Sequence, residues 1–177
     1  MGIVEYIEKQ RNALGERICK IRIVRGYNTQ KEFSIVYSGS SLKTTFISQL
    51  EKGKNTKFDT IVRLIIKLKV SPVSLFDFNN KFPITKYAWS ISEEALSQKL
   101  LKILAKRIKD IRKEKGLVQV DVELDSLVGD GKISRYELCL EKPEFDTISR
   151  IAYGLNVEIW ELFWDGEKEK ENKKQKK

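Results

Sequence analysis

Two short stretches of the chain carry side chains suited to binding another molecule through hydrogen bonds. The first spans residues 46–53 and the second spans residues 132–137. In each stretch a serine, Ser48 or Ser134, follows an isoleucine and precedes a glutamate by three positions. Their hydroxyl, amide and charged groups donate and accept hydrogen bonds, which is the chemistry of recognition.

Several features of the sequence argue against an enzyme. Histidine is absent from the 177 residues, which removes the commonest general base and a common metal ligand. Cys19 and Cys139 form neither a Cys-x-x-Cys pair nor a zinc spacing, so we expect packed, reduced thiols. The chain also lacks a glycine-rich phosphate loop and a nucleophile motif. We therefore predict no catalytic step, no metal and no cofactor.

The net charge of +9 indicates an anionic partner, with nucleic acid as the leading candidate. The alternative is that this charge only aids solubility. The N-terminus lacks the basic-then-apolar order of a secretion signal. No uninterrupted apolar run approaches the ~18 residues that a membrane span needs. These observations predict a cytoplasmic protein without a membrane segment.

Apolar residues recur at helical spacing through most of the chain, which predicts an all-α fold. The first part of the chain is predicted to hold five helices: one over residues 3–25, a second that Asn28 or Thr29 caps, a third over residues 42–52, a fourth that Asp59 or Thr60 caps, and a short fifth over residues 73–76. The pattern restarts near residue 92, where Ser90 or Ser92 can cap another long helix.

The two halves of the chain repeat one another. Equivalent residues follow in the same order: Ile18 and Ile108, Arg22 and Arg112, Gly26 and Gly116, Gln30 and Gln119, Ser48 and Ser134, Glu51 and Glu137, Asp59 and Asp146. Such ordered matches indicate an internal duplication. We predict a first domain at residues 1–78, a linker at 79–91, a second domain at 92–165 and a disordered, charged tail at 166–177.

The residues that define the repeat also carry a resemblance to a known family. The relevant runs are residues 14–18, 30–33 and 47–53 in the first half and residues 107–112, 116–119 and 133–137 in the second. Each half resembles the Xre-type, lambda-repressor-like helix-turn-helix family of bacterial and phage regulators. The resemblance implies two tandem five-helix domains. In each, the second and third helices form the helix-turn-helix, and the third helix enters the DNA major groove.

Three positions depart from the family pattern. The stretch between the second and third helices of the first half, residues 37–41, is longer than usual, which should tilt the third helix. The second half has Leu127 where the family usually has a turn glycine. It also has Cys139 where the first half has Gly53.

The resemblance implies that outward side chains of the first half contact DNA. Gln pairs with adenine, Ser and Thr contact bases or phosphates, and a helix start can hold a phosphate. Lysines that follow the third helix are expected to bind the adjacent phosphate backbone of the DNA. The predicted DNA-binding residues are Thr29, Gln30, Lys43, Thr44, Thr45, Ser48, Gln49, Lys52, Lys54 and Asn55. Glu51 is predicted to make an internal contact, because Glu137 is retained at the equivalent position.

The second half is a weaker candidate for DNA binding. Its equivalent residues are Gln119, Lys132, Ser134 and Arg135, but four carboxylates, Asp121, Glu123, Asp125 and Asp130, crowd the same region. Carboxylates repel phosphates. Residues 1–80 carry 14 Lys and Arg against 7 Asp and Glu, whereas residues 81–166 carry 14 against 15. The second half could read DNA weakly, mediate dimerisation or bind a protein partner.

Together these features predict a sequence-specific DNA-binding regulator of transcription, repressor-like, that acts by occupying an operator on double-stranded DNA. The two halves could read two half-sites about one helical turn apart, or a homodimer could present two copies of the first half. The alternative is an antitoxin, or a phage or restriction-modification control protein. In that case the second domain would bind a protein partner or mediate dimerisation.

Overall fold

Every regular element that the computed structural model describes, in residues 1–35 and 43–166, is helical. Unit one (residues 1–78) contains α1 (Ile3–Val24), α2 (Gln30–Ile35), α3 (Thr44–Glu51), α4 (Phe58–Leu68) and α5 (Pro72–Phe76). Unit two (residues 92–165) contains α6 (Glu93–Glu114), α7 (Gln119–Ser126), α8 (Lys132–Glu137), α9 (Phe145–Gly154) and a 3₁₀ helix (Ile159–Phe163). The all-α prediction is confirmed for these residues. The long turn at 37–41, Leu42 and the tail from residue 167 lie outside them.

The helices form where apolar residues share one face. On α1, Leu14, Ile18 and Ile21 are buried at spacings of three and four residues. On α4, a wider set that includes Ile61, Leu64, Ile65 and Leu68 is fully buried, because this helix packs against α6 of unit two and belongs to the common hydrophobic core. Within the described ranges, no helix is both long and apolar enough to cross a membrane.

Side-chain caps mark the start of α5 and α6. The hydroxyl of Ser92 accepts a hydrogen bond from the backbone N–H of Ala95 at 3.2 Å, which selects Ser92 over Ser90. The prediction that Asp59 or Thr60 caps α4 is wrong, since α4 begins at Phe58 and Lys57 precedes it. The carboxylate of Asp59 instead accepts hydrogen bonds from unit two, from the hydroxyl of Ser97 and the ammonium of Lys142, each at 2.8 Å.

The sequence repeat is also a repeat of backbone conformation. Three equivalent pairs adopt the left-handed region at the ends of equivalent helices: Gly26 and Gly116 (φ 88° and 69°), Gly53 and Cys139 (80° and 58°), and Lys69 and Asn156 (49° and 48°). Equivalent N–H groups close these turns, for example Tyr27 onto the carbonyl of Arg22 and Leu117 onto that of Arg112. The duplication therefore preserves local geometry even where the residue type changes.

The two units pack against each other through equivalent elements. Helix α1 contacts α9, α6 contacts α4, and α5 contacts the 3₁₀ helix. Because α1 is equivalent to α6, α4 to α9 and α5 to the 3₁₀ helix, these contacts are those expected of two units related by an approximate two-fold axis. Arg11 of α1 forms an ion pair with Asp146 of α9, and Ser97 of α6 bonds to the equivalent carboxylate, Asp59. Buried residues of both units belong to one hydrophobic core.

The segment predicted as a linker lies on both units. The backbone N–H of Tyr87 donates to the carbonyl of Lys69 at 2.8 Å, and the indole N–H of Trp89 donates to that of Val70 at 3.0 Å. The ring of Phe82 packs edge-on against Trp160 of unit two, with ring centroids 4.9 Å apart. This segment therefore adds to the contact between the units.

Candidate nucleic-acid interface

Helix α3 is held in place by the packing of its two buried residues, Ile47 and Leu50, and by a close approach of α1. A Cβ atom placed on Gly15 would lie only 2.6 Å from the carbonyl oxygen of Glu51. Only glycine permits α1 and the end of α3 to lie this close. The outward face of α3 is therefore fixed relative to the body of unit one.

A buried ion pair connects three helices behind this face. The guanidinium of Arg22 on α1 donates from Nε to Oε1 of Glu51 at 2.8 Å, and the side-chain amide of Gln30 on α2 donates to Oε2 of Glu51 at 2.6 Å. Both partners of the ion pair are nearly inaccessible to solvent, with side chains 5 % and 9 % exposed. The prediction of an internal contact for Glu51 is confirmed. The amide of Gln30, which was predicted to contact a phosphate, has a partner inside the protein.

The outward residues of α3 carry hydrogen-bonding groups and positive charge. Lys43, Thr45, Gln49, Lys52 and Lys54 are exposed. The ammonium of Lys54 donates to the side-chain oxygen of Gln49 at 2.7 Å, so these two side chains are positioned together. Glu51, the only carboxylate on α3, is withdrawn from this surface by the Arg22 ion pair.

Two predicted site residues, Thr44 and Ser48, are half-buried. The hydroxyl of Thr44 hydrogen-bonds to that of Ser34 at 2.8 Å and joins α2 to α3. Thr29 caps α2 by accepting from the N–H of Glu32, whose carboxylate accepts from the N–H of Thr29. The hydroxyl of Thr44 therefore joins α2 to α3, and that of Thr29 stabilises the start of α2.

Asn55 lies in the contact between the units, not on the outward face of α3. Its side-chain N–H donates to the carboxylate of Glu144 at 2.8 Å, and its oxygen accepts from the backbone N–H of Asp146 at 3.2 Å. No sequence pattern indicated this contact, because it depends on how unit two packs on unit one. Conversely, exposed Lys31 was missed, although it directly follows Gln30 in the first turn of α2.

Unit two reproduces the buried network. Arg112 donates from Nε to Oε1 of Glu137 at 2.6 Å, and the amide of Gln119 donates to Oε2 at 2.9 Å. Burial by itself raises the pKa of Glu137, but the bonds from Arg112 and Gln119 outweigh it, so the pKa lies below its ordinary value. The predicted site residue Gln119 is thus a structural link between α7 and α8.

The outward cations of α8 are less available than those of α3. Lys132 and Arg135 both form ion pairs with Glu141, at 2.7 Å and 2.6 Å. Their hydrogen bonds hold the pKa of Glu141 below its ordinary value. Ser134 is half-buried. A phosphate approaching α8 would compete with this carboxylate, which supports the weaker role predicted for unit two.

The assignment of a function to this chain rests on the residues described above, because comparison with known proteins adds no further evidence. No protein-family model, no curated protein and no solved structure matches this chain.

Proposed function

We propose that this protein is a sequence-specific DNA-binding regulator of transcription that contacts its operator through α3 of unit one. The observation that carries the proposal is the composition of the exposed α2–α3 surface. It combines the cations Lys31, Lys43, Lys52 and Lys54 with the amide of Gln49 and the hydroxyl of Thr45.

The lysines account for affinity. DNA binding depends on neutralising phosphates and releasing their counterions. Cations next to α3, the helix proposed to enter the major groove, therefore strengthen binding to any sequence. Lys43 precedes α3, and Lys52 and Lys54 follow it, so cations stand at both ends of the helix. This arrangement suits contacts to the backbone on either side of a groove.

Gln49 accounts for sequence preference. A glutamine amide can bond bidentately to adenine in the major groove, and a hydroxyl can contact several bases. The bond from Lys54 uses one lone pair of the Gln49 oxygen, so the second lone pair and the amide N–H groups are available to a base. Occupancy of the operator would then block or recruit polymerase without a chemical step.

The test is selection of bound fragments from random double-stranded DNA with the full chain, followed by affinity measurements at several salt concentrations. We expect one enriched motif and an affinity that falls steeply with salt. An unenriched pool, or binding to the selected DNA that is no stronger than to unselected DNA, would refute sequence-specific binding.

A further inference from the structure

Unit two exposes a set of large aliphatic side chains on its helix-turn-helix surface. Val120 and Leu124 are four residues apart on α7, which places them on one side of the helix, and Leu127 directly follows its last residue. They are 57 %, 67 % and 63 % exposed. The remaining members of the set, Val118, Leu138 and Leu140, flank α7 and α8 and are exposed to a similar degree.

The two ends of this set are brought together by the buried network. The bond between Gln119 and Glu137 fixes the start of α7 beside the end of α8. Val118 and Val120 adjoin Gln119 in the chain, and Leu138 adjoins Glu137. The start of α7 and the end of α8, with the aliphatic residues that adjoin them, therefore lie side by side.

At three of these six positions, unit one carries lysine instead. Lys31 is equivalent to Val120, since each follows the glutamine of the buried network, and Lys52 is equivalent to Leu138, since each follows its glutamate. Lys54 is equivalent to Leu140, because their N–H groups close the same turn onto Gln49 and Arg135. Where unit one has lysines that attract phosphate, unit two therefore has aliphatic side chains. Burial of such side chains in a contact with another apolar surface is favourable.

Charges of opposite sign border the aliphatic face. Asp121 and Asp125 directly follow Val120 and Leu124 on α7. Lys109 and Lys113 are exposed one turn apart on α6, and the charge of Lys109 acts on Glu137, which directly precedes Leu138. When two such faces meet about a two-fold axis, the acidic border of one can face the basic border of the other. The face is therefore complementary to itself in polarity and in charge.

We propose that this face, formed by Val118, Val120, Leu124, Leu127, Leu138 and Leu140, binds the same face of a second copy of the chain. The resulting dimer has two-fold symmetry and leaves α3 of both unit-one domains outside the contact. The proposal does not depend on DNA binding, because it is tested on the free protein. If the proposed function also holds, each dimer presents two reading helices to one operator.

The experiment measures the mass of the full chain by sedimentation equilibrium. We expect a reversible dimer, with twice the 20.6 kDa mass of one chain. Leu124→Asp and, separately, Leu140→Asp should each raise the dimer dissociation constant by about tenfold or more, because a carboxylate would be buried against apolar groups. Val4→Asp is the matched control, since Val4 is an aliphatic residue 72 % exposed on α1; it should leave the constant unchanged.

Charge reversal distinguishes a self-complementary contact from general stickiness. Replacing Asp121 and Asp125 together by lysine should weaken the dimer, and adding Lys109→Asp and Lys113→Asp to the same chain should restore it. Circular dichroism must show native helix content in each variant. A monomeric wild-type chain, an unaltered dimer in both leucine variants, or no recovery in the fourfold charge variant would overturn the proposal. A monomer that binds a different protein on this face would also overturn it.

Discussion

Phe76 of α5 and Phe163 of the 3₁₀ helix, which are equivalent residues of the two units, stack on each other with ring centroids 4.7 Å apart. Both are almost fully buried. Equivalent residues can meet in this way only near the axis that relates two copies of a repeat. The units are therefore joined at the centre of a common core.

This contact predicts that the two units unfold together. Phe163→Ala should lower the free energy of unfolding by about 3–5 kcal/mol, because it leaves a cavity beside Phe76 in the common core. The measurement is urea unfolding followed by tryptophan fluorescence, which reports the linker and unit two, and by circular dichroism, which reports both units. The two curves should coincide. Phe163→Leu is the control and should cost less; separate transitions in the wild-type chain would show that the units are independent.

The Arg112–Glu137 ion pair predicts a pH-dependent contribution to stability. The folded-state pKa of Glu137 lies below its ordinary value of 4.5, so its contribution is complete above that value and is lost as pH falls through the folded-state pKa. Glu137→Gln should therefore cost about 2 kcal/mol near pH 7, and the difference from wild type should shrink as the solution is acidified. Urea unfolding at a series of pH values measures this. Glu16→Gln, at an exposed position of α1, is the control and should cost little at any pH.

Leu127 ends α7 in the left-handed conformation, with φ 50° and ψ 38°. A branched side chain is strained there and glycine is not. Leu127→Gly should therefore stabilise the chain by about 0.5–1 kcal/mol, since the leucine side chain is mostly exposed and little packing is lost. The paired control is Gly116→Ala at φ 69°, where an added Cβ meets no atom and only the backbone is strained. Gly116→Ala should destabilise the folded chain by about 1 kcal/mol. Thermal unfolding, at protein concentrations too low for the proposed dimer to form, measures the effect of both substitutions.

The proposed interface predicts different effects for cations and for the amide. Lys52→Ala should weaken binding to all DNA sequences by a similar factor and reduce the slope of log K against log salt by about 1. Gln49→Ala should instead change the base preferred at one position of the selected motif. Fluorescence anisotropy with the selected operator and single-base variants separates the two effects. Lys102→Ala, an exposed lysine on α6, is the control and should change neither; equal effects of all three substitutions would contradict the assignment.

Much of the local structure could be predicted from residue types and spacing. Apolar periodicity predicted the all-α fold, and the paired positions of Arg22, Glu51 and Gln30 with Arg112, Glu137 and Gln119 identified the repeat. The internal role of Glu51 also followed from the repeat, because a glutamate kept in both copies, at Glu51 and Glu137, is better explained by an internal partner than by a base contact. These inferences succeed because they depend on contacts within one short repeat.

The roles of other residues depended on how the two repeats pack. Asp59 was predicted to cap its own helix, yet it bonds to Ser97 and Lys142 of unit two, and Asn55 was predicted to meet DNA but bonds to Glu144. No local pattern reports such partners, because they lie 38 to 89 residues away in the chain. The sequence by itself determined the helices and the duplication, because both follow from residue types at fixed spacing in the chain. Only the tertiary structure decided which polar groups are used between the units and which lysines and leucines remain exposed, because burial is a property of the packed chain.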